Sequence, residues 1–286
     1  PLLAMRLETK QKKVADPRYA GLDSILKWML VTCFGYTGYR NAKFGRIEVH
    51  ESITGHARDV LLQARDIAEV LGFSVLHGIV DCLWVQGGPI GALKARVEEE
   101  TRLHTAVDAY DWLVFLPMAD GSGAYNRYYG RLTGGSLKVR GIAARRGDTP
   151  AYIRAVQQEL LEVLRGARTL PELAALRDTV SDRYREAREN LPEVSPKELA
   201  LCRQVSRLDY RHACPEASAV QACRAEGIEL SPGMEVSYLV TDARTWSVAL
   251  DWKASRFDLG FYRQLLEKAW DEVLFAVEKA GAAAGK

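Results

Sequence analysis

Residues 52–71 carry apolar side chains at helical spacing, with Ile53, Ala57, Val60, Leu61, Ala64, Ile67, Ala68 and Leu71 on one face and Gly72 following as a stop. Only a few positions later comes LHGIVDCLWV, residues 76–85, an apolar run that reads as a buried strand. A helix that hands over to a strand within a few residues commits the chain to a mixed architecture. The run also holds one acid, Asp81. A lone ionised carboxylate among apolar neighbours is costly unless a cation, a metal or several hydrogen bonds satisfy it. A paired structural aspartate, or one at an open strand end, is the ordinary alternative to a site.

The rest of the pattern extends this reading. Residues 2–13 and 17–32 read as two helices joined at ADPR, with Asp16 as a cap and Pro17 in a first turn. CFGYTGYRNAKFG, rich in glycine and aromatics, reads as a turn or tight packing element. PIGALKARVEEETRLH is a charged helix, YDWLVFLPM a strand, and AYNRYYGRLTGGSLKVRGIAARR a hairpin around TGG. From Thr149 onward long charged helices are expected over about 150–165 and 171–190. A new pattern begins after Pro196, and the strand MEVSYLVT and a helix over 257–279 close the chain. The fold class is therefore α+β, a mixed first half followed by a mostly helical second half.

Of the 286 residues, 39 are Lys or Arg and 37 Asp or Glu, a formal net charge of +2. Any nucleic-acid-binding surface must then be local rather than global. The five cysteines are odd in number and lack zinc-site pairs, so they read as reduced thiols of an intracellular protein. No run approaches the roughly 20 apolar residues of a membrane helix, and the first residues do not read as a signal peptide. PLLAMRLETKQKK starts in mid-pattern, as if cut from something longer. The five histidines form no metal set, and no Ser/His/Asp or Cys/His constellation suggests a hydrolase.

Two groups of cations are candidates for binding anions. Arg6 and Lys10 share a face of the first helix, and Lys27 lies on the second. If the two helices pair antiparallel, the three can converge on a phosphate chain; the alternative is a solvated basic helix. The hairpin carries Arg127, Arg131, Lys138, Arg140, Arg145 and Arg146 among Tyr125, Tyr128 and Tyr129. That mixture suits a nucleic-acid backbone, with an ordinary charged hairpin as the alternative. The glycines of CFGYTGYRNAKFG do not make a phosphate loop, because no Lys-Ser/Thr ending follows.

Taken in order, these pieces resemble the C-terminal half of a family B DNA polymerase. KWMLVTCFG is similar to the fingers motif K-x-x-x-N-S-x-Y-G, with Lys27 and Gly35 matching and Val31, Thr32 and Phe34 in place of Asn, Ser and Tyr. HESITGHARDVLL resembles the helix that follows, and LHGIVDCLWV aligns with the palm motif Y-x-D-T-D-S. YNRYYG looks like the motif that grips the primer-template. VRGIAARRGDTP resembles K-G-x-E-x-x-R-R-D, and GIELSPGMEVSYLV and FYRQLLEKAWDEVL are similar to the thumb's closing region. The departures resemble a degenerate branch, like the second archaeal group and its bacterial relatives.

The resemblance implies a fingers helix pair over 1–34, an antiparallel palm sheet with helices over 35–148, and a mostly helical thumb over 149–286. It implies that Asp81 is the catalytic metal ligand of a two-ion Mg2+ site, while Ile79 stands where the family's other acid would be. The family's first palm motif would lie before Pro1. Arg6, Lys10 and Lys27 would bind the incoming dNTP, and Arg127, Tyr128, Lys138, Arg140, Arg145 and Arg146 the primer-template DNA. The partner would be the N-terminal polymerase half or another subunit, at the nucleoid in a prokaryotic cytoplasm. A second reading is an inactivated polymerase-like subunit that serves as a DNA-binding scaffold. The strand carrying Asp81 is expected to pair with YDWLVFLPM, and residues from about 149 to form a separate lobe.

Overall fold

The computed structural model describes residues 1–118 and 120–284, and the fold is α+β with three small antiparallel sheets. Packing divides the chain into two compact units, 1–107 and 108 onward.

The first unit opens with two helices, α1 (Leu2–Ala15) and α2 (Ala20–Thr37), packed against each other. The sharp reversal between them is set locally. The Asp16 side chain accepts the Arg18 amide at 3.0 Å, and Pro17 pre-sets the first turn of a short 3-10 segment. Helix α2 continues to Thr37, so the first residues of the expected turn CFGYTGYRNAKFG are helical. Next come α3 (Ile47–Val70), the hairpin β1 (Ser74–Ile79) and β2 (Cys82–Gln86), and α4 (Ile90–Thr101). Gly72 ends α3 at φ 83°. Its amide bonds to the Glu69 carbonyl and that of Phe73 to Ala68, both at 3.0 Å, the doubly bonded stop that only glycine adopts without strain. Phe73 then reaches a small core with Ile67, Ala68, Leu93 and Val97.

The second unit begins with the meander β3 (Tyr110–Pro117), β4 (Gly123–Leu132) and β5 (Leu137–Arg140), which contains the expected hairpin around TGG. Helices α5 (Ala151–Leu164), α6 (Leu170–Ala175) and α7 (Arg177–Asn190) follow. The expected helix over 171–190 is thus broken at Leu176. A second sheet joins β6 (Leu201–Gln204), β7 (Glu235–Asp242) and β8 (Ser247–Leu250), with α8 (Pro215–Ala225) inserted. Helix α9 (Leu259–Ala284) closes the chain, entered at Asp258, whose carboxylate accepts the Phe261 and Ala243 amides at 3.0 and 2.8 Å.

Two expectations are corrected. The segment around Asp81 does not pair with Tyr110–Pro117: β1 pairs with β2, and β3 with β4. Residues from 149 onward are not a packing unit of their own. They share one core with the first sheet, in which Trp112, Tyr129, Leu160, Leu239 and Val273 are all buried.

The contact that joins these layers is the carboxylate of Glu272 on α9. Its Oε1 accepts the Arg127 guanidinium from β4 at 2.6 Å. Its Oε2 accepts the Ala143 amide at 3.1 Å and the Gln157 side-chain amide from α5 at 2.7 Å. Gln157, fully buried, accepts the Ala144 amide and donates to the Ala269 carbonyl. Glu272→Ala removes the one acceptor shared by donors on three elements, the Arg127 guanidinium among them. It is expected to cost about 3 kcal/mol in urea unfolding, as for the loss of one partner of a buried charge pair. Glu278→Ala, which removes an exposed pair with Arg177, should cost less than about 1 kcal/mol. Equal effects of the two substitutions would contradict the assignment.

Candidate functional site

The acid that the sequence places inside a buried strand is in fact exposed at a turn. Ile79 pairs with Cys82, so Val80 and Asp81 alone reverse the chain between β1 and β2. Val80 lies at φ 53° with its side chain 75% exposed. A β-branched residue in the left-handed region is strained, and this is the position where a two-residue turn normally takes glycine, asparagine or aspartate. Strain of that kind concentrates at functional sites. The Cys82 thiol lies 3.4 Å from Asp81 Oδ1. Among the described residues no three His, Cys, Asp or Glu side chains gather in a metal-holding group. One exposed carboxylate does not by itself fit a two-ion magnesium site.

The cations of the first two helices lie about an acid that sequence reasoning missed. Asp23 on α2 pairs with Lys13 at 3.0 Å and with Arg6 at 3.6 Å, and only 13% of its side chain is exposed. The Lys13 ammonium, with Arg6 and Lys10 adding their charge, holds the Asp23 carboxyl below its usual range. Arg6 Nε and Asp23 Oδ1 are covered yet have no hydrogen-bond partner. Lys27 is exposed one turn beyond Asp23 and so shares its face. Arg6 and Lys10 are thus brought together on the helix pair, and Lys27 is carried on the face that meets them. An aspartate four residues before Lys27 was the available signal.

The six hairpin residues divide into two sets. Arg127 is held by Glu272, and it also donates to the Pro117 carbonyl at 3.1 Å. Tyr128 is buried, its ring 5.8 Å from that of Phe115. Lys138 is paired with Asp108, which raises the lysine's pKa. Arg146 makes two bonds to Asp148, at 3.1 and 3.0 Å, and Arg203 pairs with the same carboxylate. Arg140 and Arg145 remain exposed, the former donating only to the neighbouring Val139 carbonyl at 3.2 Å. The geometry therefore offers Arg140 and Arg145 to a polyanion and gives the other four structural partners.

No protein-family model matches the chain. Among curated proteins, DNA polymerase 2 of Saccharolobus solfataricus is 32% identical over 170 residues, 59% of this chain and 26% of that protein. DNA polymerase 2 of Aeropyrum pernix is 26% identical over 244 residues, 83% of this chain and 29% of its own length. Among solved structures, the family B DNA polymerase of the hyperthermophilic archaeon Pyrobaculum calidifontis superposes with a TM-score of 0.55 at 24% identity, covering 96% of this chain and 36% of that one. The chain is similar in sequence to part of archaeal DNA polymerases, and in fold to part of a family B DNA polymerase. It spans about a quarter to a third of the length of the curated polymerases it matches.

The run 76–85 is thus strand, turn, strand. A turn presents Asp81 to a ligand where a strand interior would hide it. If Val80 is strained, Val80→Gly trades about 1–2 kcal/mol of left-handed strain against a smaller loss through the freer unfolded chain. Thermal unfolding should show the variant as stable as the parent or slightly more so. A clear loss of stability would mean that the turn depends on the Val80 side chain.

Proposed function

We propose that the chain forms the fingers (1–34), second palm part (35–148) and thumb (149–286) of a family B DNA-directed DNA polymerase, a nucleotidyltransferase of replication or repair. The observation that carries this reading is the similarity to archaeal DNA polymerases along most of the chain. Arg6, Lys10 and Lys27 take the triphosphate of the incoming dNTP. In its absence Asp23 holds the fingers cations together, and phosphate oxygens replace its carboxylate when nucleotide arrives. Arg140 and Arg145 take primer-template phosphates without reading sequence.

Asp81 supplies one carboxylate to the Mg2+ site, and the others come from polypeptide outside these residues, as an N-terminal half or another subunit. The surface of α2 supports such a partner. A surface helix normally turns its apolar residues inward. Yet α2 buries only Leu26 and leaves Ile25, Met29 and Val31 exposed. The working compartment is the cytoplasm, at the nucleoid; no described helix is long and apolar enough to cross a membrane. A second reading, a DNA-binding scaffold without catalysis, is favoured by Ile79 at the position of the family's other acid.

Primer extension by the chain joined to a complementary polymerase N-terminal half separates the two. The first reading expects extension that Asp81→Ala abolishes, and a nucleotide requirement weakened about one to two orders of magnitude by Lys27→Ala, the worth of one charge-assisted phosphate contact. Arg140→Ala and Arg145→Ala should each flatten the salt dependence of duplex binding by about one unit. DNA binding without extension in any pairing supports the scaffold, and extension that survives Asp81→Ala overturns the role of that residue.

A further inference from the structure

We propose that the surface from Phe34 to Arg46 binds single-stranded DNA by stacking its unpaired bases. It is a site on the first unit, separate from the duplex-binding arginines. Between Asp23 and Glu48 the sequence has no acid, and within 34–46 it places Arg40, Lys43 and Arg46. All three are exposed, and none forms an ion pair among the described residues. The same stretch has no Leu, Ile, Val or Met. Its large apolar side chains are all aromatic and all exposed: Phe34 39%, Tyr36 58%, Tyr39 56% and Phe44 86%. Rings interleaved with unpaired cations, with no acid near them in sequence, match a strand that offers π-faces and phosphates in alternation.

The backbone keeps these rings outward. The Ala42 amide bonds to the Tyr39 carbonyl and that of Gly45 to Ala42, both at 3.0 Å, and a Cβ at Gly45 would stand 2.4 Å from the Tyr39 carbonyl oxygen. The loop is closed too tightly on itself to bury a side chain. Phe34 is fixed from beneath. Its ring stacks on His50 at 4.4 Å, and Thr37 ties the two together, donating to the Phe34 carbonyl at 2.6 Å. With that hydroxyl proton committed, His50 Nδ1 must be the donor in its 3.1 Å contact with Thr37 Oγ1. Tyr36 and Tyr39 meet edge to face at 6.4 Å, and the Lys43 ammonium lies 5.6 Å from the centre of the Phe44 ring. Duplex DNA stacks its bases internally and cannot use such rings. The choice of DNA over RNA rests on the proposed polymerase role; the stacking and the charge do not.

Fluorescence anisotropy with the full chain tests this, using labelled oligo-dT of 20 nucleotides, oligo-U of the same length and a blunt 20-base-pair duplex. The expected result is oligo-dT binding that weakens with salt. Tyr39→Leu and Phe44→Leu should each weaken it about tenfold, within the range for losing one base–aromatic stack, and Phe44→Trp should restore it. These side chains are exposed, so the variants keep the core, which circular dichroism checks. Leucine also keeps the apolar surface, so unchanged oligo-dT binding in the leucine variants, or none in the parent, overturns the proposal and leaves a protein-docking surface. Tighter binding of oligo-U than oligo-dT overturns the DNA assignment. Ring-dependent oligo-dT binding without any duplex binding supports this site while counting against the primer-template reading.

Discussion

A single carboxylate, that of Glu272, organises the second unit. It sits on the last helix and accepts from β4, from the segment after β5 and from α5. The hydroxyl of buried Tyr129 donates to the carbonyl of the same residue at 2.8 Å. A covered carboxylate has to be satisfied on both oxygens, and here each partner belongs to a different layer. Sheet, central helix and closing helix are therefore held in one arrangement, and the core from Trp112 to Val277 forms around it. The same interaction decides a functional question. Arg127 looks on sequence like a phosphate ligand, but it is committed to Glu272, so the outer edge of the hairpin is left to Arg140 and Arg145.

The first unit has no such centre. Its core holds only a few residues between α3, the β1–β2 hairpin and α4, and most of the large apolar side chains left exposed in the chain lie within its 107 residues. What it has is a set of presented groups. Cations are arranged about Asp23, a carboxylate is carried on a strained turn, and a loop of rings and cations is closed too tightly to hide them. A unit that buries little and presents much is suited to working against other molecules, and the exposed aliphatic side of α2 gives a polypeptide partner somewhere to pack.

Much of this was legible in the sequence where the signal was local. The period of α3 and its glycine stop, the strand Tyr110–Pro117 and the hairpin around TGG all follow from spacing and turn chemistry within a few residues. The run 76–85 reads as one strand because a β-branched Val80 gives no hint of a positive φ, and a single aspartate, Asp81, does not by itself mark a turn. The strands Leu201–Gln204 and Ser247–Leu250 are four residues each, too short for alternation to register. Asp23 was within reach, since it shares a helical face with Lys27. Glu272 was not, because its partners Arg127, Ala143 and Gln157 lie more than a hundred positions away and no periodicity links them.

In the proposed polymerase site Asp81 stands on a turn, and among the described residues no group of three metal-ligating side chains accompanies it. Manganese, a paramagnetic stand-in for magnesium, reports on this directly through water-proton relaxation as it is titrated into the chain. A lone carboxylate on a turn leaves such an ion holding most of its water, so no specific site tighter than about 1 mM is expected, and Asp81→Ala should leave the titration unchanged. A micromolar site that disappears in Asp81→Ala would mean that the chain already contains its metal ligands, and would contradict the account.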